Sequence, residues 1–346
     1  MPTIHDVAKK AGVSVSTVSY ALNGNRPISE ETRQRIIAAM NEIGYQPHAL
    51  ARGLASKRSR IIALQFPTPE RGLGITELEF VTGAADAAVE YGYNLVLWSS
   101  QIHDAHGLAQ LTQQGLVDGV ILMEVRGLDP RVELLRKGEL PFQLIGRCDD
   151  LQGIHYVDID FEQTLGKALG HLMGLGHRQI AFLNQSEQEY NSGYGPSVRA
   201  QLAFEQAMND QGLRPVSIYS SASPQSGYDT MKLLLEQNPQ ISALISMNER
   251  ALSGVLRALH EAQRSIPNNF SLISIITSAR AAQMMNPPLT TMTSPNTELG
   301  RLSVIQLIER LEGNQPNELR QVLLPCVLEQ RESTGPFRKQ SRFGRR

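Results

Sequence analysis

The sequence predicts a small all-α helix-turn-helix headpiece with a hinge helix, followed by an α/β body of two lobes. Three observations lead there. The first sixty residues show three short apolar stripes at helical spacing, with a glycine-containing turn between the first two. From Ile61 onward, apolar strand-like runs alternate with helical stretches. Charge is segregated in the same way. Out of a net −1, residues 1–60 hold +5, residues 331–346 hold +5 and the middle holds −11. A basic module on an acidic body suggests that only the ends meet a polyanion.

The 346 residues suffice for two or three domains with cores of their own. Cys148 and Cys326 lie far apart with no metal-ligand or CxxC spacing, so both are expected as reduced structural thiols. The opening MPTIHDVAKK has no signal-peptide run, and no later stretch approaches the ~20 apolar residues of a membrane span. The expectation is a cytoplasmic protein without a membrane partner. No GxSxG, Walker or GxGxxG motif and no poised carboxylate pair is present, which argues against an enzyme. No motif calls for a metal or a cofactor.

In the headpiece, Thr3 and Asp6 begin a capping-box-like helix with Ile4, Val7, Ala8 and Ala11 on one face, stopped at Gly12. Ser14 is the natural cap of a second helix, whose Val18, Ala21 and Leu22 face inward. Asn23-Gly24-Asn25 ends it. Ser29 caps a third helix with the stripe Ile36, Ile37, Met40 and Ile43, and Gly44 stops it. Val15, Ser16, Thr17, Ser19 and Tyr20 remain on the polar side of the second helix. Hydroxyls there suit base edges or phosphates, and Val15 suits a thymine methyl. From the residues alone, this face serves equally as a DNA-reading surface or as the polar side of a small bundle.

The stretch from Thr3 to Ser59, TIHDVAKKAGVSVSTVSYALNGNRPISEETRQRIIAAMNEIGYQPHALARGLASKRS, resembles the headpiece of the lactose/galactose repressor family without a gap. That resemblance implies operator-DNA contacts from Thr3, Ser14, Val15, Ser16, Thr17, Ser19, Tyr20 and Asn23, with Val15, Ser16 and Tyr20 setting operator preference. It also implies contacts from the hinge residues Arg52, Leu54 and Ala55. Pro47 to Ala55 can form about two turns of helix, marginal alone and weakened by Gly53. In the family, paired hinge helices order in the minor groove and a leucine wedges between base pairs; Leu54 occupies that position. Arg52, Lys57, Arg58 and Arg60 are expected as phosphate contacts or solvated linker charges.

In the body, strand-like runs fall at Ile61–Phe66, Asn94–Trp98, Gly119–Met123, Phe142–Ile145, Ile180–Leu183, Ser217–Tyr219, Ala243–Ser246 and Ser271–Ile276. Helical stretches fall at Leu78–Glu90, Gln163–Met173, Arg199–Gln211 and Leu252–Ala262. Repeated βα units imply parallel sheets, and ligands of such sheets bind beyond the carboxyl ends of the strands, here between the lobes. VDGVILM, GHRQIAFL, FSLISI, PPLTTM and RESTGPFR resemble family signatures, which imply a body like that of periplasmic sugar-binding proteins.

For the effector cleft, the resemblance points to Arg147, Asn248 and Glu249, with Arg147 either facing the ligand or paired with Asp149 or Asp150. Ile276 stands where relatives carry an aspartate that clamps ligand hydroxyls or amines. A family arginine falls on Ala200, with Arg199 one residue early and about 100° around the helix. Ala222 stands where the purine branch has a stacking aromatic. Strand-end position adds Arg71, Glu124, Gln185 and Tyr190, and His177 is expected as a structural hydrogen-bonder.

The expected division is 1–46 for DNA binding, 47–60 for the hinge, 61–335 for effector binding and dimerisation, and 336–346 for a basic tail. The expected function is a homodimeric repressor on a palindromic double-stranded operator, controlled by a small-molecule effector, in most relatives a carbohydrate. The alternative is a catabolite-control-type regulator whose body answers to a protein partner.

Overall fold

The computed structural model describes residues 2–23, 26–45, 58–66, 74–99, 105–313 and 319–338. The expected hinge contacts Arg52, Leu54 and Ala55, the expected cleft residue Arg71 and the tail from 339 lie outside these residues.

The headpiece consists of α1 (Ile4–Ala11), α2 (Val15–Asn23) and α3 (Glu30–Ile43). Thr3 and Asp6 form a reciprocal capping box at the start of α1, and Gly12 ends it at φ +64°. Val7, Ala8, Ala11, Val18, Ile36 and Ala39 form the buried core. Ile37, expected in that core, is 48% exposed. It sits one residue, about 100°, past Ile36, and Ala39 closes the stripe instead.

The first lobe runs through β1 (Ile61–Phe66), α4 (Ile75–Glu90), β2 (Asn94–Ser99), α5 (Ala105–Gln113), β3 (Gly119–Leu122), α6 (Pro130–Lys137), β4 (Phe142–Ile145) and β5 (Tyr156–Ile159). The second holds α7 (Phe161–Gly174), β6 (Ile180–Asn184), α8 (Glu187–Asn191), α9 (Gly195–Asp210), β7 (Val216–Tyr219), α10 (Pro224–Gln237), β8 (Ala243–Ser246), α11 (Leu252–Glu261), β9 (Ser271–Ile275), α12 (Ala279–Gln283) and β10 (Thr290–Thr293). The chain then returns through α13 (Asn296–Leu311) and β11 (Gln321–Leu324), and β12 (Val327–Glu329) ends in the second sheet.

The sheet orders are β2-β1-β3-β4-β5-β11 and β7-β6-β8-β9-β10-β12, the same strand order twice. All pairings are parallel except β10 with β12. Strands β5, β10, β11 and β12 have no counterpart among the expected runs. YVDI and TTMT break apolar continuity with polar side chains, and β11 and β12 are short, partly exposed edge strands. Helix α9 starts at Gly195 rather than Arg199, with Pro196 tolerated in its first turn.

Helices α4 and α13 cross closely because both present glycine at the contact. A Cβ on Gly83 would lie 2.0 Å from the Thr297 carbonyl oxygen, and one on Gly300 would lie 2.1 Å from that of Phe80. Cys148 and Cys326 are free and buried.

The linker residues join the first lobe. Asp118 accepts from the backbone N–H groups of Ser59 and Arg60 at 2.7 and 2.8 Å. Arg58 and Arg60 lie 3.6 and 3.7 Å from Glu312, with both side chains still about half exposed. On the second lobe, the His177 ring is buried against the Ser242 and Ser271 hydroxyls, both at 2.9 Å, and the Gly335 carbonyl at 3.1 Å.

Candidate effector cleft and nucleic-acid interface

At the start of α2, the Ser14 hydroxyl accepts from the Thr17 N–H at 3.1 Å and lies 2.7 Å from the Ser16 hydroxyl. Ser14 is thus occupied as a cap, while Ser16 stays exposed. Val15 is half-buried and packs against the headpiece core. Tyr20 lies one turn beyond Ser16, on the same face. Its ring carries the Arg26 guanidinium at 5.4 Å from the centroid. Sequence reading missed Arg26; the available signal was a lone cation in the segment NGNRP between two helical stripes.

The body contains a cleft between the lobes, at the carboxyl ends of both sheets, with an empty volume of about 980 Å³ including its open mouth. Of the expected residues, Glu124, Gln185, Asn248, Glu249 and Ile276 line it, as does Ala222. Glu124 accepts from the Tyr194 hydroxyl at 2.9 Å. Gln185 donates to the Met247 carbonyl at 3.3 Å, and the buried Asn248 amide donates to the Ser220 carbonyl at 2.7 Å. Asn248 therefore holds the loop after β7 as well as facing the cleft.

Two expectations need correction. Arg147 pairs with neither Asp149 nor Asp150; its Nε donates to Asp158 Oδ2 at 3.0 Å, because the side chain turns along β5. Asp150 is taken by Arg136 at 2.6 Å. Tyr190 sits in α8 with its ring 5.4 Å from that of Tyr219, away from the cleft lining. Arg199 passes behind the cleft wall. Its Nη1 donates to the Arg147 carbonyl at 3.0 Å and its Nη2 lies 3.1 Å from Asp158 Oδ2. Burial depresses the Arg199 pKa, and the neighbouring Asp158 charge opposes that shift. Asp158, 5% exposed and lining the cleft, was missed; the signal was an acid inside the apolar strand YVDI.

The lobes touch on both sides of the cleft. On one side, Gly127 N–H donates to the Gly193 carbonyl at 3.0 Å and Gly195 N–H to the Val125 carbonyl at 3.1 Å. On the other, the Thr76 hydroxyl donates to Glu249 at 2.6 Å, and Arg250 lies 3.4 Å from Glu77. Burial raises the Glu249 pKa, the Thr76 hydrogen bond opposes it, and the like charge of Glu77 adds to it. Ile276 has φ +57° and Glu124 φ +56°, left-handed backbone that side chains rarely adopt.

Comparison with known proteins fits this geometry. Residues 3–48 match the model of the lacI family of bacterial regulatory proteins, and residues 169–334 that of a periplasmic binding protein-like domain. The HTH-type transcriptional regulator AscG of Escherichia coli (strain K12) is 30% identical over 321 residues, 90% of this chain and 93% of that protein. The chain belongs to the lacI family of bacterial regulatory proteins.

This lacI-family chain is a DNA-binding transcription regulator controlled by an effector, and not an enzyme. Another relative, catabolite control protein A of Priestia megaterium, is 29% identical, covering 96% of this chain and 99% of that protein. The structure of a transcriptional regulator CelR-cellobiose complex is 26% identical with TM-score 0.71, covering 96% of this chain and all of that one. The lac repressor dimer bound to operator and the anti-inducer ONPF shares the fold at TM-score 0.80 and 23% identity, covering 96% and 99%. Among the described residues, no helix of this lacI-family regulator is long and apolar enough to cross a membrane.

Proposed function

We propose that the chain is a repressor that binds a two-fold symmetric operator as a homodimer, and that a carbohydrate-class effector in the cleft sets the spacing of its two hinges. The observation that carries this reading is the cleft itself, whose walls come from different lobes joined by polar contacts on either side of it. A ligand touching both walls changes the angle between lobes, and so shifts the population competent for DNA. A cleft walled by side chains of both lobes supports a small ligand over control by a protein partner alone.

The carbohydrate class draws support from two likenesses. One is the CelR-cellobiose complex; the other is a LacI family transcriptional regulator from Enterococcus faecium with bound ribose, 25% identical with TM-score 0.67, covering 80% of this chain and all of that one. Residues 1–46 read DNA, 47–60 form the hinge, 61–335 bind effector and dimerise, and 336–346 form a basic tail. Ser16, Thr17 and Tyr20 meet the major groove, with Thr3, Ser14, Val15, Ser19 and Asn23 supporting them and Arg26 beside Tyr20. The protein works in the cytoplasm.

Selection of random duplexes by the full-length protein should enrich palindromic sequences whose affinity falls steeply as salt rises. Leu54→Ala should weaken that binding while the body stays folded. Enrichment of no two-fold symmetric sequence overturns the proposal.

A further inference from the structure

Charge in the cleft is unevenly compensated. The charged side chains lining it, among the described residues, are Glu77, Glu124, Asp158, Glu249 and Arg250. Arg147 and Arg199 both turn onto Asp158 from behind the wall, and Arg250 lies against Glu77. Glu249 forms no ion pair among the described residues. Its carboxylate is held by neutral donors, the Thr76 hydroxyl at 2.6 Å and the backbone N–H of Ser278, while the neighbouring Arg250, turned onto Glu77, adds only a smaller through-space attraction.

Those two donors need only an acceptor oxygen, which a neutral glutamine amide supplies equally well. The negative charge is therefore not needed by the fold, and burying it without a cation in direct ion-pair contact is unfavourable. Beside this corner stands Ile276, two residues before Ser278, whose N–H in turn donates to Thr76 at 3.2 Å. A β-branched side chain is kept there in left-handed backbone, so an apolar wall is maintained at a strained ligand-facing position.

We propose that Glu249 receives an ammonium group of the effector while the adjoining carbon frame packs on Ile276, so that the cleft selects an amine over the matching neutral or phosphorylated compound. This rests on the reading of the cleft as the effector site. Amino sugars and aliphatic amines share the required chemistry, and the test separates them.

The full-length protein is titrated calorimetrically with three sets: glucosamine, galactosamine and putrescine; glucose, galactose and butanediol; and the corresponding hexose phosphates. An amine is expected to bind most tightly, by about tenfold over its neutral counterpart. Whether a hexosamine or putrescine leads identifies the frame. Glu249→Gln is expected to remove that advantage and to melt no lower than the parent. A tightest binder from the neutral or phosphate set, no binding by any amine, or a lower melting temperature for Glu249→Gln overturns the proposal. A neutral or phosphorylated binder that changes operator affinity leaves the effector-controlled repressor standing. If no compound binds and operator affinity never changes, the effector reading fails with it.

Discussion

Arg199, on a helix of the second lobe, donates from Nη1 to the backbone carbonyl of Arg147 in the first at 3.0 Å, with Nη2 3.1 Å from Asp158 Oδ2. One guanidinium thus joins the two lobes behind the cleft. Arg199→Met keeps the apolar stem against Phe161, whose ring lies 5.5 Å from the guanidinium carbon, and removes only the charged head. It should cost about 1.5–3 kcal/mol of unfolding free energy, the usual range for hydrogen bonds to charged groups. In urea melts, Asp158→Asn should cost less in that background than in the parent; strictly additive costs would mean the two side chains do not act together.

Backbone conformation at Ile276 makes an unusual ordering of variants. Ile276→Gly and Ile276→Ala both remove the side chain, but only glycine is unstrained at φ +57°. The glycine variant should be the more stable by about 1 kcal/mol, the reverse of the order in ordinary helices or strands. Thermal melts of the two proteins decide it, and an alanine variant equal to or above the glycine variant rejects left-handed strain at this position.

Acid should loosen the second lobe through His177. Burial holds its imidazole below the ordinary 6.5, and the hydrogen bond to the Gly335 carbonyl only partly offsets this. Below that value the unfolded chain binds more protons than the folded one, so stability is present above about pH 6.5 and lost as pH falls through it. Burial shifts His171 the same way, whereas Glu249, shifted up, gains stability on acidification. The difference between parent and His177→Gln isolates the contribution: denaturant melts from pH 8 downward should show a shallower loss in the variant. An identical slope would remove His177 as the cause.

Much of the headpiece was legible because its determinants are local. The Thr3–Asp6 box, the Ser14 and Ser29 caps and the stops at Gly12 and Gly44 all lie within one turn of the helix they delimit. The alternating body was legible for the same reason, and so was the position of the cleft, since strand ends define it. Glu124, Gln185 and Glu249 follow strands, and they line it. Ile37 went astray where two neighbouring faces of a helix were both plausible on periodicity alone, and Tyr190 because the segment after the strand is a short helix, Glu187–Asn191, and not a loop.

Determined by the sequence itself were the three capped helices, the βα alternation, the segregated charge and the family likeness. Each depends on residues close together along the chain. The tertiary structure decided where the arginines go, that Asp158 gathers two of them, and that Glu249 forms no ion pair among the described residues. Arg147 and Asp158 are 11 residues apart, Arg199 and Arg147 52, and Thr76 and Glu249 173. Partners so distant meet only when two sheets and a close glycine crossing place them, and no local pattern of side chains encodes that distance.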